Sequence, residues 1–131
     1  MIALDSNIVL RLLTADDEAQ YNRALKALSK LYDAGEDVVV TNIALCETAW
    51  VLKRAYKASK QEILKALSEI LTIRGIRAMN LSQVNAAIAA YRHGKGDFAD
   101  YLMLHNARAD GCRALMTFDR ILLQDGGFIE P

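Results

Sequence analysis

Short apolar runs rich in branched side chains alternate along this chain with longer stretches of helical period, and few folds accept that order. Val38-Val39-Val40-Thr41 is the clearest strand signal, because β-branched side chains suit a pleated, buried ladder. Residues 2–5, 76–79, 113–117 and 128–129 read as further strands. Helices are expected over 6–13, 17–34, 42–56, 60–72, 82–92 and 98–109. In the second of these, Tyr21, Leu25, Leu28, Leu31 and Tyr32 keep the helical period. Asp16, Asp17 and Glu18 suit its positive start, and Gly35 suits its stop. Ser6 or Asn7 is expected to cap the first helix. Strands separated by helices call for an α/β sandwich around a central, mostly parallel sheet of four to five strands, with right-handed crossovers. Ligands of such sheets bind outside the carboxyl ends of the strands.

A chain of 131 residues fits a single domain, residues 1–131, able to bury about two-thirds of its unfolded surface. Hydrophobic residues make up 53% of it and charged residues 24%, a balance that favours a packed core over disorder. No apolar run approaches the roughly 18 residues of a membrane span. The N-terminus shows neither a cationic region nor a small-residue cleavage site, so a cytoplasmic setting away from membranes is expected. Cys46 and Cys112 are too few for a disulfide framework or a zinc site and read as buried free thiols. Net charge is zero, which removes the simplest electrostatic case for nucleic-acid binding and shifts attention to local charge. Lys53, Arg54, Lys57, Lys60 and Lys65 form one basic stretch, whose plainer reading is a solvated helix face.

Four acids stand beside apolar runs in four separate stretches: Asp5, Glu47, Asp100 and Asp119. Such placement puts each near the core side of its element, where an unpaired charge is costly. Each therefore needs a cationic partner, or the fold gathers them around a metal ion. Asp5 and Asp119 close expected strands, at the ends where ligands of such sheets bind. Two carboxylates 4 Å apart repel by roughly 4 kcal/mol at an effective dielectric near 20. Convergence thus requires protonation or a cation, and an all-oxygen site suits Mg²⁺ or Mn²⁺. No Ser/His/Asp set, Walker loop, GxGxxG or HExxH offers competing chemistry.

Met1-Ile2-Ala3-Leu4-Asp5-Ser6-Asn7-Ile8-Val9-Leu10-Arg11 resembles the opening of PIN-domain proteins, where Asp, then Thr or Ser, then Asn follow the first strand. Asn42-Ile43-Ala44-Leu45-Cys46-Glu47 is similar to that family's second acidic motif. Gly96-Asp97-Phe98-Ala99-Asp100-Tyr101-Leu102 is similar to the third, and Leu115-Met116-Thr117-Phe118-Asp119 to the fourth. All four follow the family's order with the spacing of its compact members, and the nearest resemblance is to VapC-type toxins of bacterial toxin–antitoxin pairs. It implies a PIN-like α/β/α sandwich and a metal-dependent ribonuclease holding one or two Mg²⁺ or Mn²⁺ ions. By position, Asp5, Glu47, Asp100 and Asp119 form the implied catalytic and metal-binding quartet. A cognate antitoxin, an RNA substrate and a homodimer are the implied partners.

Supporting residues carry two readings each. Asp97, three residues before Asp100, either joins the metal site or caps the helix that begins at residue 98. Ser6 and Asn7 either hold Asp5 and a nearby water or cap a helix. Thr117 either orients Asp119 or is an ordinary strand threonine. Arg11 is in reach of a phosphate, but an ion pair with Asp16 or Asp17 is the plainer assignment. Lys53, Arg54 and Lys57, with Arg92 and Lys95, are the candidate RNA contacts. His105 reads as a partly buried helix residue, and Trp50 as core or dimer contact. The implied reaction is in-line attack of an activated water on phosphorus, leaving a 5′-phosphate with no use of a 2′-hydroxyl. The rival readings are a binding or regulatory module with a weak metal site, and a phosphotransfer fold with Asp5 as nucleophile. The second fits poorly, because the position two after Asp5, where a dehalogenase-type site wants Asp, is Asn7.

Overall fold

The computed structural model describes all of residues 1–131, and they form two compact units, Met1–Met79 and Asn80–Pro131. The first unit holds strands β1 (Ile2–Leu4), β2 (Val38–Val40) and β3 (Ile76–Ala78) with helices α1 (Ser6–Thr14), α2 (Glu18–Asp33), α3 (Asn42–Arg54) and α4 (Lys60–Ile70). The second holds α5 (Leu81–His93), α6 (Phe98–Ala109), β4 (Leu115–Met116), a 3-10 turn at Leu122–Gln124 and β5 (Phe128–Ile129).

In the first unit β2 lies between β1 and β3, with every pairing parallel: Ile2 opposite Val38, and Val38 opposite Ile76. The central position explains its sequence. All three valines are buried, as a strand covered on both faces requires. At the edge, β3 alternates instead, burying Ile76 and Ala78 while Arg77 faces solvent. Helix α1 packs on α2, α3 and α4, and α3 packs on α4. Its Val9 and Leu10 join Leu45, Ala49 and Leu52 of α3 and Ile63, Leu64, Leu67 and Ile70 of α4 as core. Thr48 is wholly buried, and its hydroxyl donates to the Ala44 carbonyl at 2.7 Å, so its own polar atom is not stranded.

In the second unit α5 and α6 form an antiparallel-type hairpin of closely packed helices. Tyr91 and Phe98 meet edge to face at 6.2 Å, and Tyr101 meets Phe128 in the same way at 6.2 Å. Strands β4 and β5 pair in parallel, Leu115 opposite Phe128.

The expected α/β class, the parallel pairing and the five strands are all present, distributed as a three-stranded and a two-stranded sheet. Several boundaries lie one or two residues inside those expected, as where a helix cap takes a junction position, while α1 gains a residue and α5 gains one at each end. Thr41 is not the end of β2 but the N-cap of α3, its hydroxyl accepting from the Ala44 N–H at 3.2 Å. Neither Ser6 nor Asn7 caps α1; Asp5 does. The expected burial of both thiols also fails. Cys46 is half-buried, and Cys112 lies exposed just past the left-handed Gly111 (φ +92°) that ends α6.

Candidate active site

Two of the acids belong to the first unit. Asp5 follows β1, and its Oδ1 accepts the Ile8 N–H at 3.0 Å, satisfying an otherwise orphaned donor in the first turn of α1. The next residue, Ser6, donates its hydroxyl to Glu47 Oε2 at 3.2 Å. That single bond ties the β1–α1 junction to the middle of α3, bridging 41 residues of sequence. The first two acidic motifs therefore share one place, and Ser6 is the link. Asn7 is exposed on the same turn.

The other acids belong to the second unit. Asp97 is the N-cap of α6, and it forms a capping box with Asp100. Asp100 Oδ2 accepts the Asp97 N–H at 2.9 Å. Asp97 thus has the capping role, and it stands beside Asp100 in the same turn. Asp119 Oδ1 accepts the Ile121 N–H at 2.8 Å and the Leu122 N–H at 3.3 Å, organising the turn before the 3-10 segment. Thr117 does steady Asp119, but through the backbone: its Oγ1 accepts the Asp119 N–H at 3.0 Å.

The burial on which the acids were first singled out is absent. Asp5, Glu47 and Asp119 are exposed, and Asp97 and Asp100 half-buried. The flanking apolar residues misled because they are themselves partly in solvent. On α3, Ile43 and Trp50 flank Glu47 on one face and are 71% and 43% exposed. Trp50 is accordingly not a core residue. No cation pairs with Asp5, Glu47 or Asp119 either.

What remains is a donor pattern. In Asp5, Glu47 and Asp119 one carboxylate oxygen is held by a protein hydrogen bond and the other accepts none. A fixed carboxylate with an unspent oxygen suits a hard divalent cation that keeps several waters. Within neither unit do three or more His, Cys, Asp or Glu side chains gather as a ready metal cage. Each unit supplies instead a small set of oriented carboxylates.

The sequence profile of the PIN domain matches residues 2–125, all but seven positions of the chain. The chain belongs to the PIN-domain family. The match spans both compact units and contains all five acids. PIN domains are in general nucleases that act on RNA, typically with a bound divalent metal. No curated protein matches this PIN domain in sequence.

Among the candidate RNA contacts of this PIN domain, Arg11 is already engaged. Its Nε donates to Gln20 Oε1 at 2.6 Å and its Nη1 pairs with Asp16 at 3.2 Å, as the plainer reading expected. Lys53 and Arg54 end α3, and Lys57 follows in a left-handed conformation (φ +55°); all three are exposed. His105 is a half-buried helix residue, as expected, and burial followed by the nearby Arg108 charge holds its imidazole below the usual range.

One organising group was missed. Tyr101, adjacent to Asp100, is 2% exposed. Its hydroxyl donates to Asp125 Oδ2 at 2.6 Å and accepts the Gly96 N–H at 2.9 Å. Burial and the Asp125 bond push its phenol up to about 12. A Cβ on Gly94 would overlap this hydroxyl, so glycine is required at that position of the α5–α6 loop. Tyr101 thereby fixes the loop that enters the Asp97–Asp100 box. The signal was there in the sequence: a tyrosine at a core position needs a partner for its O–H.

Proposed function

We propose that this PIN domain is a metal-dependent endoribonuclease, with residues 1–131 acting as one catalytic domain. The observation that carries it is the unbroken family match over residues 2–125, which holds Asp5, Glu47, Asp97, Asp100 and Asp119 together with their family order. The donor pattern supports it, since oriented carboxylates with an unspent oxygen are what Mg²⁺ or Mn²⁺ recruits. When bound, one or two such ions supply Lewis-acid activation of water and neutralise charge on the scissile phosphate.

The protein's own groups then have distinct tasks. Asp5 and Glu47 of the first unit and Asp100 and Asp119 of the second, with Asp97 beside Asp100, would be the metal ligands. Ser6 fixes the rotamer of Glu47 and Thr117 the turn of Asp119, while exposed Asn7 is proposed to hold a water near Asp5. Water rather than a carboxylate is the nucleophile: it would attack phosphorus in line as the P–O3′ bond breaks and the 3′-oxygen leaves as a hydroxyl, so the product would carry a 5′-phosphate. Exposed cations, Lys53, Arg54 and Lys57 among them, attract the RNA backbone.

The biological setting we propose is that of a toxin in a toxin–antitoxin pair, acting in the cytoplasm as a homodimer and held in check by a cognate antitoxin. The motif spacing shared with VapC-type proteins supports the first point. Exposed Ile43 and Trp50 on α3 support a protein contact there. No helix is long and apolar enough to cross a membrane.

Labelled RNA incubated with purified protein tests the reading directly. Cleavage should require Mn²⁺ or Mg²⁺, stop with chelator, and vanish in Asp5→Asn and Asp100→Asn. Equal cutting by wild type and variants, or cutting undiminished by chelator, would reject it.

A further inference from the structure

A cleft of about 520 Å³ runs between α1 and α2, wholly within the first unit. Asp5 lines one end of it, and α2 contributes Arg23, Lys26 and Lys30. These three sit at spacings of three and four residues, so they share a face of α2. All are exposed, and none makes an ion pair. Arg11 lines the cleft too, but its charge is answered by Asp16 and its Nε is spent on Gln20. That clamp joins the late part of α1 to the early part of α2. The helices therefore double back, and Lys26 and Lys30 approach the Asp5 end.

The charge here is lopsided for a molecule of zero net charge. Three uncompensated cations face a cleft whose single acidic residue is Asp5. Ala24 and Ala27 keep the floor between them low, which lets a bulky chain come close. From Arg23 to Lys30 the helix rises about 10 Å at 1.5 Å per residue. That span matches about three phosphates at the 3.4 Å rise of a stacked strand. A row of cations at this pitch is a poor fit to an isolated small anion and a good one to a polyanion.

We infer that the α1–α2 cleft is a track for the sugar–phosphate backbone of single-stranded RNA, leading the strand to Asp5. The destination rests on the nuclease reading; the binding does not. Arg23, Lys26 and Lys30 contact phosphates, and Arg11 braces the wall without touching the strand. The track reads no sequence, since phosphates carry none.

The test measures fluorescence anisotropy of an unstructured labelled 12-nucleotide RNA against the full chain, in EDTA, at several salt concentrations. Arg23→Gln, Lys26→Gln and Lys30→Gln combined should weaken binding on the order of 100-fold at 50 mM salt. The slope of log affinity against log salt should flatten by about 2, three contacts at about 0.7 each. A control with Lys65→Gln and Arg113→Gln, outside the cleft, should leave affinity and slope unchanged. Equal affinities for wild type and triple variant overturn the track and hand these cations to an acidic protein segment instead. Equal weakening by the control also overturns it, because the charge then acts diffusely. Metal-dependent hydrolysis of bis(p-nitrophenyl) phosphate, too short to span the cleft, reports separately on the nuclease reading. The triple variant should keep the wild-type rate on that substrate, and a matching loss there overturns the track as well.

Discussion

Asp5 carries two duties that a single substitution can separate. Its Oδ1 caps α1 through the Ile8 N–H, and its other oxygen is proposed to meet the metal. Asparagine caps as well as aspartate, whereas alanine forfeits the cap at about 1 kcal/mol. Asp5→Asn should therefore lose metal-dependent RNA cleavage while denaturant midpoints stay at wild type. Asp5→Ala should lose both. If Asp5→Asn unfolds as early as Asp5→Ala, the negative charge is structural and the division of labour is wrong. The same economy recurs at Asp97, Asp100 and Asp119, where carboxylates assigned to chemistry also close helix or turn geometry. That double use is why the acids were legible and their roles were not. A helix start and a metal ligand ask for the same residue types, so Asp97 reads both ways until its capping box is seen.

At the level of elements, helical period and β-branched or apolar runs located the six α-helices and the five strands, though not the 3-10 turn at Leu122–Gln124. The valines of β2 and the apolar faces of α3 and α4 could hardly be placed otherwise. Element ends were less legible, since caps depend on which donor each side chain meets in three dimensions. The Ser6–Glu47 bond and the Tyr101–Asp125 bond, between residues 41 and 24 apart, leave no local trace at all. A third long-range tie, invisible in the same way, secures α1 to the end of α3. Asp16 accepts from the Tyr56 hydroxyl at 2.6 Å and from the Thr14 hydroxyl at 2.9 Å, and pairs with Arg11. The Tyr56 bond foremost, then Thr14 and the Arg11 charge, hold its carboxyl below the ordinary 3.8. A lowered folded value means the unfolded chain binds the proton first on acidification. The stabilisation is therefore complete above the ordinary value and fades as pH falls through the folded one. Asp16→Asn should melt below wild type at pH 7, with the gap closing below about pH 4. A gap that persists unchanged at pH 2.5 would assign the effect to packing rather than charge.

For the whole molecule, metal-linked stability tests whether residues 1–79 and 80–131 act on one ion. The first unit contributes Asp5 and Glu47, the second Asp97, Asp100 and Asp119, and neither holds a three-ligand cage of its own. A pair of carboxylates such as Asp5 and Glu47 binds a divalent ion only weakly by itself. A ligand that binds only the folded state raises stability by RT ln(1 + [L]/Kd), about 2.7 kcal/mol at a hundredfold excess over Kd. For a domain of this size that corresponds to a rise of several degrees in the melting midpoint. Mn²⁺ at saturation should thus shift the melt of the wild-type chain upward as a single transition, relative to EDTA. The variants make the measurement decisive. If ligands from both units serve the same ion, Asp5→Asn and Asp100→Asn must each abolish the shift, although they lie in different units. A shift that survives Asp100→Asn confines the metal to Asp5 and Glu47, and one that survives Asp5→Asn confines it to the second unit. Either result would leave the other unit's acids with the cap and turn hydrogen bonds that Asp5, Asp97, Asp100 and Asp119 make within their own elements, a role that asparagine fills equally well.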